Sequence, residues 1–118
     1  MATVVTDVGE QGIVDRIDGL GTQPDWVGSV TGAGTAAEGD TTLFTEVSEA
    51  RVQGTASQPA ADTFRVVATQ TYTGTKTITN AGTFDASTGG NLYVHGDFAG
   101  IAVNNNDSIQ FTIDIVIS

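Results

Sequence analysis

The last ten residues but one constrain this chain more than any other stretch. Ile109, Phe111, Ile113, Ile115 and Ile117 alternate strictly with Ser108, Gln110, Thr112, Asp114 and Val116. A period of two is the signature of a strand with one face in a core and the other in water. Each such side chain contributes about 1.5–3 kcal/mol on burial, before conformational entropy is set against it. The strand is therefore expected at the centre of its sheet, and a charge at Ile113 is expected to abolish folding.

The rest of the chain supplies short strands and turn chemistry. A strand is predicted over Asp25–Val30 behind Pro24, then a long ordered Gly/Ala-rich loop over Thr31–Thr42. Strands are predicted at Glu49–Ala56 and Thr63–Tyr72, separated by a loop holding Pro59 and Asp62, and again at Lys76–Phe84. Asp85–Gly90 is turn sequence. Asn91–Val103 is one bent strand or two short ones, broken at Gly96 or Gly100, and Asn104–Asp107 turns the chain into its last strand. Ahead of all this, Thr6–Gly19 carries a helix signal. Asp7 and Glu10 resemble a capping box, Ile13, Val14 and Ile17 share a face, and Gly19 is placed to end the helix in a left-handed conformation. The expected fold is all-β, an antiparallel sandwich of jelly-roll type with one short N-terminal helix. Residues 1–18 are read as an arm and helix, and residues 19–118 as the sandwich.

At 118 residues the chain holds one domain. Threonine is its commonest residue, as suits a pleated surface. Its formal charge is −10, with only Arg16, Arg51, Arg65 and Lys76 as bases. Four scattered cations do not make a phosphate-binding surface, so neither nucleic acid nor a membrane surface is an expected partner. Self-assembly of so acidic a chain is expected in high salt, where the Debye length falls to about 3 Å. The absence of cysteine excludes disulfides and thiolate metal sites. The sequence contains neither a signal-peptide pattern nor a run long enough to span a bilayer. Beginning at Met1 and closing on its last strand, the chain is expected to be a stand-alone subunit without a fibre shaft.

Chemistry has little to draw on, and no enzyme activity or catalytic residue is expected. His95 is alone, and pairing it with Ser108 or Ser118 as a nucleophile has no support in spacing. Gly32-Ala-Gly34 lacks the third glycine and the following helix of a dinucleotide loop. No cofactor is expected; calcium is the weak alternative, with Asp85 and Asp107 as ligands, but neither loop has alternating acids. Asn106-Asp107-Ser108 fits a glycosylation acceptor and is also an ordinary turn. Recognition usually sits on loops carried by a rigid scaffold. The expected contact residues are therefore Trp26 and the loop positions Gly32, Gly34, Thr35, Asp40 and Thr42.

The order of these segments resembles a family of small structural proteins from tailed viruses of bacteria and archaea. The resemblance runs through Val5–Ile17, Pro24–Gly28, Gly32–Leu43, Thr45–Val47 and Arg51. Its most specific stretch is Thr77–Gly90, followed by Leu92, Phe98 and Asp107–Ile115. Two departures touch loops: Val30-Thr-Gly-Ala-Gly-Thr35 replaces a Gly-Thr-Gly-Thr pattern, and Asn80 stands where an acid is frequent. The resemblance implies a virion component, foremost a capsid decoration or turret protein. Such a protein would form a trimer or pentamer on the major capsid protein of a haloarchaeal virus. The alternatives are a tail-tip, baseplate or fibre module that binds the host surface, and a carbohydrate- or calcium-dependent binding module.

Overall fold

Thr6 decides how the chain enters its helix. In the computed structural model, which describes residues 3–117, β1 (Thr3–Val5) leads into α1 (Asp7–Ile17) through this fully buried residue. The Thr6 hydroxyl accepts from Gly9 N at 2.9 Å and donates to the Leu92 carbonyl, while its N–H donates to Tyr93 O at 2.9 Å. The N-cap is therefore Thr6 and not Asp7; Asp7 and Glu10 in the first turn complement the helix dipole. Gly19 follows the C-cap Asp18 with φ of 78°, the expected left-handed stop.

The helix does not pack through the Ile13, Val14 and Ile17 stripe. A methyl at Gly9 would lie 2.2 Å from Tyr93 O, and one at Gly12 would lie 2.3 Å from the Tyr93 ring. This approach, open only to glycine, fixes the buried face. Val14 sits about 140° around the helix from Gly9. It is 63% exposed and Ile17 is 83% exposed, leaving Ile13 to join Tyr93, Phe64 and Ile115.

Two antiparallel sheets make an all-β sandwich. The larger has the order β1-β7-β6-β2-β3, adding β2 (Trp26–Thr31), β3 (Val52–Gln53), β6 (Lys76–Phe84) and β7 (Leu92–Val103) to β1. The smaller has the order β4-β5-β8, from β4 (Thr55–Ala60), β5 (Thr63–Thr71) and β8 (Ser108–Val116). Residues 3–5, read from sequence as part of an arm, form a strand of the larger sheet, with Thr3 opposite Gly96 and Val5 opposite Val94. The single strand expected at Glu49–Ala56 is two, because the chain passes from one sheet to the other at Gly54. Pro59 lies within β4, at the edge of its sheet, where its missing N–H is tolerated. β7 runs unbroken but bulges: Ile101 faces Ile78 and Asp97 faces Asn80, so Phe98, Ala99 and Gly100 lie opposite Thr79 alone.

Val27, Val66, Ala68, Ile78, Ala81, Val103 and Phe111 fill the space between the sheets. A buried polar trio crosses it: Ser29 Oγ lies 2.6 Å from Gln70 Oε1 and 2.8 Å from the Tyr72 hydroxyl. Gln70 Nε2 donates to Ala50 O at 3.1 Å, which leaves the trio satisfied. β8 occupies the edge of its sheet, not the centre; β5 is central. Its alternation holds along the inner face, but only Phe111 and Ile115 are buried. Ile109 and Ile113 are half-buried and Ile117 is 59% exposed, since an edge strand is covered from one side only.

Candidate interaction surface

The outer face of the larger sheet is covered by the segment from residue 32 to residue 51. Gly28 on β2 has no side chain, which lets Glu46 and Leu43 sit against the backbone; a methyl there would meet Glu46 Oε2 at 2.6 Å. Val30, Phe84 and Leu92 are buried beneath the segment together with its own Leu43, and Trp26 packs against them. The Arg51 guanidinium lies 3.3 Å above the Phe84 ring. It forks onto Glu46 at 2.8 and 3.0 Å and donates to the carbonyls of Ala86 and Gly89. The segment then returns along β2, where Thr31 N donates to Thr45 O and Val47 N donates to Ser29 O.

Polar side chains on β6 and β7 pin the first half of this covering segment. Asp97 Oδ2 accepts from Ala36 N at 2.7 Å, and Oδ1 accepts from Asn80 Nδ2 at 2.8 Å. Asn80 Nδ2 also lies 3.3 Å from Nδ1 of the fully buried His95. On the other side of that ring, Asp40 Oδ2 stands 3.0 Å from Nε2, off the line of a good hydrogen bond, and accepts from Ala37 N at 2.9 Å. Phe44 meets the same imidazole edge-on at 6.3 Å. Glu38 O accepts from Asp7 N at 2.7 Å, so the covering segment is tied to the start of α1 as well.

The far end of the segment is fixed by charge. Burial alone would raise the Glu49 carboxyl, but Lys76 Nζ at 2.7 Å and the N–H and hydroxyl of Thr73 outweigh it and hold the group at about 2. Burial first, then the Glu49 charge, pushes the Tyr72 phenol upward against the lowering effect of its Ser29 hydrogen bond. The outer face of the smaller sheet is bare by contrast. Its one ion pair joins Arg65 and Asp114 at 2.8 and 3.0 Å, and the Arg65 hydrogen bonds hold the Asp114 carboxyl below its ordinary range.

Residues 20–117 match a family model described as podophage GP4 fiber I protein gp80. The chain belongs to this family. It is accordingly a structural protein of a tailed-phage virion. The gp80 match spans β2 to β8 and the whole covering segment, and leaves β1 and α1 outside. No curated protein matches the chain.

In this gp80-family member the residues expected to make contacts divide into two groups. Trp26, half-buried, packs against the covered apolar residues, and Asp40, also half-buried, turns toward His95. Gly32, with φ of 92°, Gly34 beside the Phe44 ring, Thr35 and Thr42 are exposed on the outside of the segment. His95 is fully buried in the larger sheet. Ser108 is exposed at the start of β8 and bonded to Thr71 Oγ1 at 2.7 Å, so no Ser–His pair forms between them. Ser118 lies outside the described residues. Asp85 accepts from Asn91 N at 2.8 Å and Asp107 from Asn104 N at 2.7 Å. Each caps its own turn at opposite ends of β7, too far apart to share an ion, and no group of three His, Asp or Glu that could hold a metal converges among the described residues.

One surface escaped the sequence reading. Ile17 and Ile117 are both more than half exposed around an apolar groove of about 590 Å³, floored by Ile13, Phe64, Tyr93 and Ile115. The signal for it lay in Gly9 and Gly12, whose spacing marks the packing face of α1 and so turns Val14 and Ile17 outward.

Proposed function

We propose that the chain is a fibre subunit of a tailed-phage particle, acting by packing against copies of itself and other virion proteins and doing no chemistry. The observation that carries this reading is the family match, which takes in β2 through β8. Further support comes from His95, whose ring is buried between Asn80, Asp40 and Phe44 as part of a structural clamp. The capsid decoration or turret role favoured from sequence becomes the second reading, because the matched family is described as a fibre protein. The acid excess supports assembly in saline surroundings, where repulsion between copies is screened.

Immunogold labelling of intact virions, followed by a cryo-EM map, tests the assignment. Label at fibres projecting from the tail is the expected result. Label spread over the capsid shell would replace it with the decoration role, and copy number and symmetry would be read from the same map.

A further inference from the structure

Sheet edges are where protein chains add to one another, because an edge strand carries backbone N–H and C=O groups with no partner. Of the four edges here, β1 has three residues and β3 two, too short to template a pairing. β4 carries Pro59 and a register break between Ser57 and Ala60. β8 differs from all of them. It is nine residues long, stays in register with β5 from Ser108 to Val116, and contains no Pro, Gly or Lys. Its one charged side chain, Asp114, is paired with Arg65, and it has no proline, bulge or lysine to blunt the edge.

The direction of its free groups can be read from its ends. Tyr72 N donates to Asp107 O, and Ile117 N donates to Asp62 O. With a period of two, the odd-numbered residues bond to β5, while Ser108, Gln110, Thr112, Asp114 and Val116 turn their amides to the open side. Beyond this edge the three-stranded sheet stops short of the five-stranded one. That leaves Val5, Phe98, Ile109 and Ile113 half-buried where a fourth strand would cover them.

We infer that β8 is a self-association edge, occupied by the β8 strand of a second copy running antiparallel across a two-fold axis. The strand complements itself. Paired about Thr112, Gln110 falls opposite Asp114 and Ser108 opposite Val116, so no carboxylate faces a carboxylate. Arg65 already neutralises Asp114 within its own copy. On the inner side Phe111 meets Ile113 and Ile109 meets Ile115, apolar against apolar. Such a contact is isologous and joins copies in pairs, not in the rings of three or five implied by the virion resemblance. It deepens the assembly reading above, and rests on it only for the premise that copies of this chain associate.

Light scattering coupled to size-exclusion chromatography, on the full chain between about 0.1 and 1 M salt, tests the inference. The wild-type chain is expected to be dimeric, with a dissociation constant that falls as salt screens the two charges of −10. Thr112→Pro removes an N–H that β5 does not use, so it is expected to leave the fold intact and produce a monomer. Thr112→Lys is expected to do the same, although it lowers the net negative charge and would otherwise favour association. Thr69→Lys, the same change one strand inward on β5, is expected to stay dimeric. If Thr112→Pro fails to fold by circular dichroism, Thr112→Lys decides. A wild-type dimer that persists in a folded Thr112→Lys variant overturns the β8 edge but keeps self-assembly; a wild-type monomer at every salt concentration removes both.

Discussion

The two sheets of this sandwich are built on different terms. The smaller sheet buries one face and leaves the other, with Arg65, Thr69, Gln110, Thr112 and Asp114, in water. The larger sheet buries both faces of β2, of β6 from Asn80 onward and of the first half of β7, one against the smaller sheet and one under the 32–51 segment. A sheet covered twice can place polar side chains inside, provided that the cover supplies partners. Asp97 takes Ala36 N and Asn80 Nδ2, and the His95 ring stands between Asn80 and the Asp40 carboxylate. The difference shows where rigidity is concentrated: the covered sheet and its segment form one locked unit, while the bare sheet ends in an edge open to further pairing.

Four measurements would break or sharpen that contrast. Phe84 is fully buried between the Arg51 guanidinium and Val30, Leu43 and Leu92. Phe84→Ala is expected to cost about 3–5 kcal/mol in denaturant unfolding. Ile113→Ala on the half-covered β8 should cost clearly less, and equal losses would erase the distinction between the sheets. Next, Asp97→Ala strips acceptors from Ala36 N and Asn80 Nδ2, for an expected loss of about 2–3 kcal/mol. Amide exchange should then accelerate at Ala36 and Ala37 and stay unchanged along β5; uniform acceleration would mean that the segment is not locked locally.

A smaller effect concerns pH. The Glu49 carboxyl is held at about 2 in the fold against 4.5 for the free group. Its contribution is therefore fully present above about pH 4.5 and is lost as pH falls from there toward 2. Glu49→Gln is expected to flatten the pH dependence of the unfolding free energy over that window, by about 1 kcal/mol after allowing for solvent screening near the surface. A variant with wild-type acid sensitivity would assign the loss to other carboxylates. Last, Arg65→Ala on the bare face is expected to leave the melting temperature unchanged, since an exposed ion pair gains little over hydration. A substantial drop would show that this face is part of the locked unit after all.

How far the sequence could be read follows the same division. The strands at Thr63–Thr71 and Lys76–Phe84 stand within a residue of where turn chemistry and β-branched runs put them, and the alternation of β8 faces inward as expected. The covering segment was legible only as a loop. Its hold on β6 and β7 joins residues about 40 to 60 positions apart, through single polar atoms that leave no periodic trace. Trp26 and Asp40, both expected among the exposed contact residues, are half-buried, whereas Gly34 is exposed with the Phe44 ring against it. Trp26 packs with the apolar residues that the loop covers and Asp40 turns toward His95, because this loop is itself a layer.

By itself the sequence determined the class of fold, the strand and turn spacing, the acid excess and the kinship to virion structural proteins. Periodicity, turn residues and charge are local properties, and kinship is written in their order along the chain. Only the tertiary structure decided that β8 lies at an edge, that Gly9 and Gly12 rather than Ile13, Val14 and Ile17 set the face of α1, and that His95 is a clamp. Each of those depends on which strand or ring arrives from far along the chain. A strand's own pattern shows which face is buried, and does not show how many neighbours will cover it.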